Sequence, residues 1–365
     1  MPHEGGGAIP NPLSKGRDGV TIVDTSRPVT GGVDTHLDVH VAAALDGIGG
    51  LLGVEEFKTT AAGNKALLAW LRGFGTPVRV GVEGTGSYGA GLARYLRRAG
   101  VEVVEVDRPN RQERRRKGKT DTVDAIEAAR AAQADRQLGQ AKTRDGHVEA
   151  IRALVVAKRS AKSSRIKTMN QIRHLGFTAP EEIRQSLHGL SRRTLPKKAA
   201  AMRPRAGSDP VTFATKTALR TLGQRALSLE AEMKQINGLL GRLIRGHWED
   251  LLSLYGVGID SAAALPVAAG DNPERLRSEA AWAHLCGVAP IEASSGKVTR
   301  LRLNRGGDRQ ANAALWHIVT TRMSSDPRTR AYVERRTKEG KSKKEIIRVL
   351  KRYAAREVYY YLPHL

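Results

Sequence analysis

The sequence predicts an N-terminal α/β domain, an α-helical coiled coil and a mainly α-helical C-terminal domain. Three observations carry this reading. Strand and helix patterns alternate with short joints over residues 29–140. An apolar heptad then runs from Leu219 to Leu243. At about residue 248 the character changes to a basic, helical final third. A chain of 365 residues has material for two or three such domains.

In chain order, residues 1–28 are rich in Gly, Pro and polar residues and read as a disordered leader. Residues 32–45 form a strand or strand pair, and 51–60 another strand. An amphipathic helix over 64–73 ends at Gly73. A strand over 78–83 is broken by the turn Gly84-Thr85-Gly86. A helix over 88–99, a strand over 101–106, a basic loop and a helix over 120–132 complete the domain.

Residues 141–247 form the helical middle. A long helix over 146–175 presents a basic face, with Lys158, Lys162 and Arg165 among its residues. A Pro- and Arg-rich segment over 178–211 precedes a second long helix. Its seam is Leu219, Leu222, Ala226, Leu229, Met233, Ile236, Leu240 and Leu243, at alternating spacings of a coiled coil. Such a seam pairs either with another protomer, the preferred reading, or with the first long helix as a hairpin within one chain.

Residues 248–365 make the last domain. Tyr255-Gly256-Val257-Gly258, before a helix of small residues, resembles half of a helix-hairpin-helix, in which glycine amides approach a phosphate backbone. A tight turn between two helices is the equal alternative. The end of the chain carries Tyr359-Tyr360-Tyr361.

Charge narrows the partners. The net charge of +24 and pI near 10.5 suit a polyanion, nucleic acid first and an anionic membrane surface second. No run of 18 apolar residues exists to span a bilayer, and the N-terminus lacks a signal pattern. One cysteine, Cys286, allows no intrachain disulfide and fits a cytoplasmic setting. Aromatics at 4% argue against single-strand binding built mainly on base stacking.

Phosphodiester chemistry commonly uses divalent metal held by converging carboxylates. Asp34 in the first strand, Glu83 at the end of a strand, and Asp121 and Asp124 on one face of a helix start are the candidates. Asp121 and Asp124 stand just after a basic run that includes Arg114, Arg115, Arg116, Lys117 and Lys119. Asp121 could instead be a first-turn charge or cap. A rival set, Asp34, His36, Asp38 and His40, has period two and would share one face of an unbroken strand. An ordinary polar strand face is the preferred reading of that set, with His36 placed beside the metal ligands rather than among them.

Gly32-Val33-Asp34-Thr35-His36, Val82-Glu83-Gly84-Thr85-Gly86-Ser87-Tyr88-Gly89 and Lys119-Thr120-Asp121-Thr122-Val123-Asp124-Ala125, in that order, resemble the DEDD transposases of bacterial insertion sequences. These are relatives of pilin-gene invertases and are described as bridge-RNA-guided recombinases. The resemblance covers about 30–135 and 248–340. It implies a ribonuclease H-like (RuvC-like) first domain, a coiled coil and a C-terminal transposase domain. It makes Asp34, Glu83, Asp121 and Asp124 the ligands of Mg²⁺ or Mn²⁺. The family's serine motif stands as Pro290-Ile291-Glu292-Ala293-Ser294-Ser295-Gly296-Lys297, followed by Gly307-Asp308-Arg309. This makes Ser295 the expected nucleophile and Ser294 the alternative. Two departures concern this region. Leu301 and Arg302 stand where the family often has a glycine, and Asn312 stands where an arginine is expected. Asp326-Pro327-Arg328-Thr329-Arg330 and the basic segment after Gly340 resemble an actinobacterial branch.

The implied activity is metal-dependent DNA strand cleavage and rejoining through a phosphoserine, guided by a bridge RNA. The implied partners are double-stranded donor and target DNA, the RNA, and further copies of the chain in a homodimer or homotetramer, with no membrane; the implied place is the bacterial nucleoid. The basic residues expected at nucleic acid include those named above and Lys297, Arg300 and Arg309, mostly on phosphates. Base pairing from the RNA would carry sequence choice. Two alternatives remain: a Holliday-junction-resolvase-like metal nuclease, which needs the acids but no serine, and a catalytically inactive nucleic-acid-binding protein.

Overall fold

The computed structural model describes residues 27–106, 120–135, 138–140, 146–271 and 276–362. Residues 1–26 of the expected leader and the basic loop carrying Arg114, Arg115, Arg116, Lys117 and Lys119 lie outside the described residues. The chain divides into two compact units, Met1–Ala141 and Lys142–Leu365.

The first unit is a six-stranded mixed sheet with helices on both faces. The strands are β1 (Pro28–Thr35), β2 (Val39–Leu45), β3 (Leu51–Lys58), β4 (Thr76–Glu83), β5 (Glu102–Val106) and β6 (Leu138–Gln140). Their order is β3-β2-β1-β4-β5-β6. The first three form an antiparallel meander, β4 and β5 join in parallel, and β6 closes the edge antiparallel. The sequence pattern anticipated every strand but β6, which at three residues is too short to show a period.

The helices are α1 (Ala61–Arg72), α2 (Ala90–Arg98) and α3 (Asp121–Gln133). Leu67, Leu68 and Leu71 of α1 and Leu92 and Leu96 of α2 pack with Val29, Val33, Val80 and Val82 as one core. Residues alternate between faces along a strand. Gly31 therefore looks toward Leu71, while Gly32 looks toward Ala125 and Ala129 of α3.

Helix α3 lies backbone to backbone on the sheet. Gly32 and Gly81 are paired in register on β1 and β4. A Cβ on Gly32 would stand 2.1 Å from the Ala129 nitrogen, and one on Gly81 would stand 2.5 Å from the Ala128 carbonyl oxygen. The helix answers with Ala125, Ala128, Ala129 and Ala132, a stripe at helical spacing with little side chain to hold the backbones apart. Thr120 starts α3 by accepting a hydrogen bond from the Val123 amide at 3.3 Å.

The second unit contains two long helices, α4 (His147–Phe177) and α7 (Pro210–His247), with short α5 (Glu181–Leu187) and α6 (Leu195–Ala200) between them. Ile151 and Val155 share a core with Ile236, Leu240 and Ile244, whereas Met169 and Ile172 share one with Leu219 and Ala226. The long helices therefore run antiparallel. Of the two pairings the heptad allows, the structure has the hairpin within one chain. Leu219, Ala226, Ile236 and Leu240 of the seam are buried, and Leu222, Leu229, Met233 and Leu243 half-buried.

The remaining elements are α8 (Glu249–Ser253), α9 (Ile259–Ala269), α10 (Glu279–Leu285), a small hairpin of β7 (Ile291–Glu292) and β8 (Leu301–Arg302), then α11 (Arg309–Ser325), α12 (Pro327–Lys338) and α13 (Lys343–Tyr359). Their core centres on fully buried Trp282, whose Nε1 donates to the Ala355 carbonyl at 3.0 Å. Ser342 and Glu345 form a reciprocal capping box at the start of α13.

The glycine floor yields a stability test. Gly32→Ala is expected to cost roughly 3 kcal/mol, the upper end of overpacking penalties, because the new methyl meets helix backbone. Gly91→Ala in α2, where nothing lies within 4 Å, is expected to gain about 0.5–1 kcal/mol. Urea denaturation measures both.

Candidate metal centre

β1 carries Asp34 to the end of the sheet, on the face that α3 covers, and leaves it 6% exposed. The close seat of α3 brings its first turn, with Asp121 and Asp124, over the same strand end. His36 follows in the turn between β1 and β2. Its Nε2 lies 3.2 Å from Asp34 Oδ2 and 3.5 Å from Asp121 Oδ2. That nitrogen is buried yet has no hydrogen-bond partner of acceptable direction. Ligand atoms of Asp34, His36 and Asp121 all fall within 4.8 Å of one another. That spread suits a divalent cation with oxygen bonds of about 2.0–2.6 Å.

The other two acids are placed less directly. Asp124 is buried on the inner side of α3. Glu83 ends β4, next to β1, and is 8% exposed. The Thr35 hydroxyl donates to the Glu83 backbone carbonyl at 2.7 Å and ties the two strand ends together. Glu83 and Asp124 are not members of the tight three-residue cluster found among the described residues, and His36 is. Sequence reasoning had set His36 beside the ligands. Neither the strand end before it nor the return of α3 onto it was legible.

The electrostatics favour a cation. Burial pushes the Asp34 carboxyl above its ordinary pKa, His36 pulls it back, and the charges of Asp124 and Asp121 raise it further. An ionised Asp34 therefore opposes folding of the metal-free protein above that pKa, and a bound cation would reverse the sign.

The rival set on one strand face does not form. β1 stops at Thr35 and β2 restarts at Val39, so no unbroken strand spans Asp34 to His40. Asp38 is exposed in the turn, where its carbonyl accepts from the Thr59 amide at 2.9 Å. His40 is buried on β2, and burial, followed by the His36 charge, lowers its pKa.

In the second unit, Ser294 and Ser295 sit in the arm of the β7–β8 hairpin. The hairpin was missed in the sequence, although Gly296-Lys297 is the signature of a two-residue loop with glycine first. Gly296 has φ +56°, and Ser295 and Val298 exchange backbone hydrogen bonds of 3.1 Å. Ser294 Oγ accepts from the Arg300 amide at 3.1 Å. The exposed Ser295 side chain makes no hydrogen bond among the described residues. Lys297, Arg300 and Arg309 are exposed. Asp308 caps α11 through the Gln310 and Ala311 amides. Asn312 donates to the Cys286 carbonyl at 2.8 Å and accepts from Lys351 at 2.9 Å. Thus the residue standing in place of the expected arginine ties three segments together.

Of the basic residues expected at nucleic acid on α4, Lys162 is exposed. Lys158 is ion-paired with Asp260, and Arg165 with Glu230 at 3.0 Å. The half-helix-hairpin-helix reading and the tight turn share one geometry here: α8, a turn with Gly256 at φ +81°, and α9.

Asp34→Asn separates the cluster's two electrostatic roles. The metal-free variant is expected to be at least as stable as the parent. Mg²⁺ or Mn²⁺ at about a hundred times its dissociation constant is expected to add about 2.7 kcal/mol to the parent and nothing to the variant. Thermal unfolding with and without metal measures the difference.

Comparison with known proteins matches these two regions separately. A transposase family of the DEDD IS110 type matches residues 31–175, which contain all four acids. The transposase family IS116/IS110/IS902 matches 249–334, which contain the serine hairpin and Asp308. The insertion element IS900 uncharacterized 42 kDa protein of Mycobacterium paratuberculosis is 26% identical over 139 residues, 37% of this chain and 35% of that protein. The insertion element IS110 uncharacterized 43.6 kDa protein of Streptomyces coelicolor is 33% identical over 137 residues, 37% of this chain and 32% of that protein. The chain thus spans about a third of the length of the curated relatives it matches. With the two family matches in order along more than half of its length, the chain belongs to the IS110/IS116/IS902 transposases.

Proposed function

We propose that this chain is the recombination enzyme of an insertion sequence, cutting and rejoining donor and target DNA in the cytoplasm. The observation that carries the reading is the convergence of Asp34, His36 and Asp121 at the end of a mixed sheet, beside buried Asp124 and strand-end Glu83. On this reading the first unit is a ribonuclease H-like domain. Asp34, Glu83, Asp121 and Asp124 would hold Mg²⁺ or Mn²⁺, with His36 against them. The metal would neutralise charge on the scissile phosphate and lower the pKa of an attacking hydroxyl.

Ser295 is the proposed nucleophile. Its hydroxyl is exposed on a braced hairpin and uncommitted, whereas that of Ser294 supports the hairpin itself. Attack by Ser295 Oγ forms an Oγ–P bond as one P–O bond of the strand breaks and the departing oxygen takes a proton. A hydroxyl of the incoming strand then attacks the phosphoserine, rejoins the DNA and returns the serine. Bond energy is kept, which direct hydrolysis would lose.

Net charge +24 supports a large polyanionic partner. We assign the choice of site to a bridge RNA, through base pairing, with Lys162, Lys297, Arg300, Arg309 and the basic run at 114–119 on phosphates. Recombining two duplexes requires at least two active sites, hence a homodimer or homotetramer.

Ser295→Ala tests the reading in a recombination assay with Mg²⁺ and flanking RNA, scored for product and for a covalent protein–DNA adduct. The expected result is loss of both with nucleic-acid binding intact, while Ser294→Ala keeps the adduct at the cost of one hairpin hydrogen bond, about 0.5–1.5 kcal/mol. Strand cutting by the Ser295→Ala protein without any adduct would instead favour a resolvase-like hydrolase.

A further inference from the structure

The chain is poor in aromatic residues, yet the second unit gathers them. A cleft of about 930 Å³ between the ends of α11, α12 and α13 is lined by Tyr255, Tyr332, Tyr353, Tyr360 and Tyr361. These are five of the eight tyrosines in the protein. Tyr353 and Tyr360 are 52% and 67% exposed, and Tyr255 is exposed too, so ring surface faces water beyond the edge contacts that Tyr353 makes with Tyr332 and Tyr360 with Tyr359. Val319, Leu350 and Ala354 supply an apolar floor.

The walls are fixed by polar ties. Arg322 Nε donates to the Tyr255 carbonyl at 2.7 Å, and its Nη1 donates to Glu357 Oε2 at 2.6 Å. Tyr332 and Tyr353 meet edge to face at 6.1 Å. The carboxylates of the cleft are committed: Glu357 to Arg322, and Asp326 to capping α12 through Thr329. Arg328 is exposed at the rim with no ion pair among the described residues.

Exposed rings beside unneutralised arginine are the combination that holds unpaired nucleobases, with π-faces taking bases and cations taking phosphates. Duplex DNA presents no free base face to such rings. We propose that this cleft binds an unpaired segment of DNA, its bases stacked on Tyr353 and Tyr360 and its backbone on Arg328. The choice of DNA rests on the strand-transfer reading; the stacking itself does not. The volume, near the upper end of small-ligand pockets at roughly 300–1,000 Å³, admits more than a single small group. The composition argued against stacking on average, and the fold concentrates locally what the average dilutes.

The test is equilibrium binding of the full chain to a short fluorescent single-stranded DNA, its duplex and the RNA of the same sequence, without metal. Tyr353→Ala/Tyr360→Ala, which removes two stacking faces, is expected to weaken single-strand binding by about thirty-fold or more. Its duplex affinity should change less than about twofold, and Tyr353→Phe/Tyr360→Phe should bind like the parent because the ring is kept. Both side chains are exposed, and circular dichroism checks that the fold is retained. Unchanged single-strand affinity in the alanine variant, equal loss of duplex binding, or tighter binding of the RNA would overturn the proposal, as would displacement of the DNA by a proline-rich peptide. The assay scores binding alone, without metal or strand cutting, so failure of the recombination reading leaves this result distinguishable.

Discussion

The first unit depends on the contact of one helix backbone with a sheet that has no side chains at the point of approach. Gly32 and Gly81 lie side by side on β1 and β4, and the alanine stripe of α3 settles onto them. Ordinary side chains on either surface would lift the helix away. The first turn of α3 would then rise from the strand end, and Asp121 would leave His36 and Asp34. The acids do not create the site by attraction, since they repel one another. Packing at the glycines forces them together.

That arrangement has an electrostatic consequence. Burial raises the Asp34 pKa, the partly exposed His36 offsets it, and two further negative charges add to the rise. Such a cluster is poor for metal-free stability and well suited to a divalent cation. The buried, unbonded Nε2 of His36 between two carboxylate oxygens is the same tension seen at one atom. In the second unit the design differs. The serine hairpin is exposed, and its order comes from backbone bonds, from Ser294 Oγ and from the positive φ of Gly296.

Much of the fold was legible because it repeats a period. The alternation of β1 to β5 with α1 to α3 and the long α7 follow from residue spacing, and α4 from its basic face. The partner of the α7 seam was not legible, because a heptad states that a face is buried and not what covers it. Asp34 and Asp121 were readable as candidates from their places in the first strand and at a helix start. The break at His36–Asp38 was not, since alternation in Asp34, His36, Asp38 and His40 resembles continuous strand whether or not the chain turns. The tyrosine cleft was invisible for a further reason. Its members lie more than a hundred residues apart, from Tyr255 to Tyr361, and only the packing of α11 to α13 collects them.

On this reading the α3 first turn and the end of β1 share one divalent cation. Iron(II) substituted for Mg²⁺, with ascorbate and peroxide, cleaves backbone beside the metal, and mass spectrometry locates the cuts. Cuts are expected around residues 34–36 and 121–124, suppressed by excess Mg²⁺ and absent in Asp34→Asn. Cuts confined to other segments, or unchanged by Asp34→Asn, would contradict it.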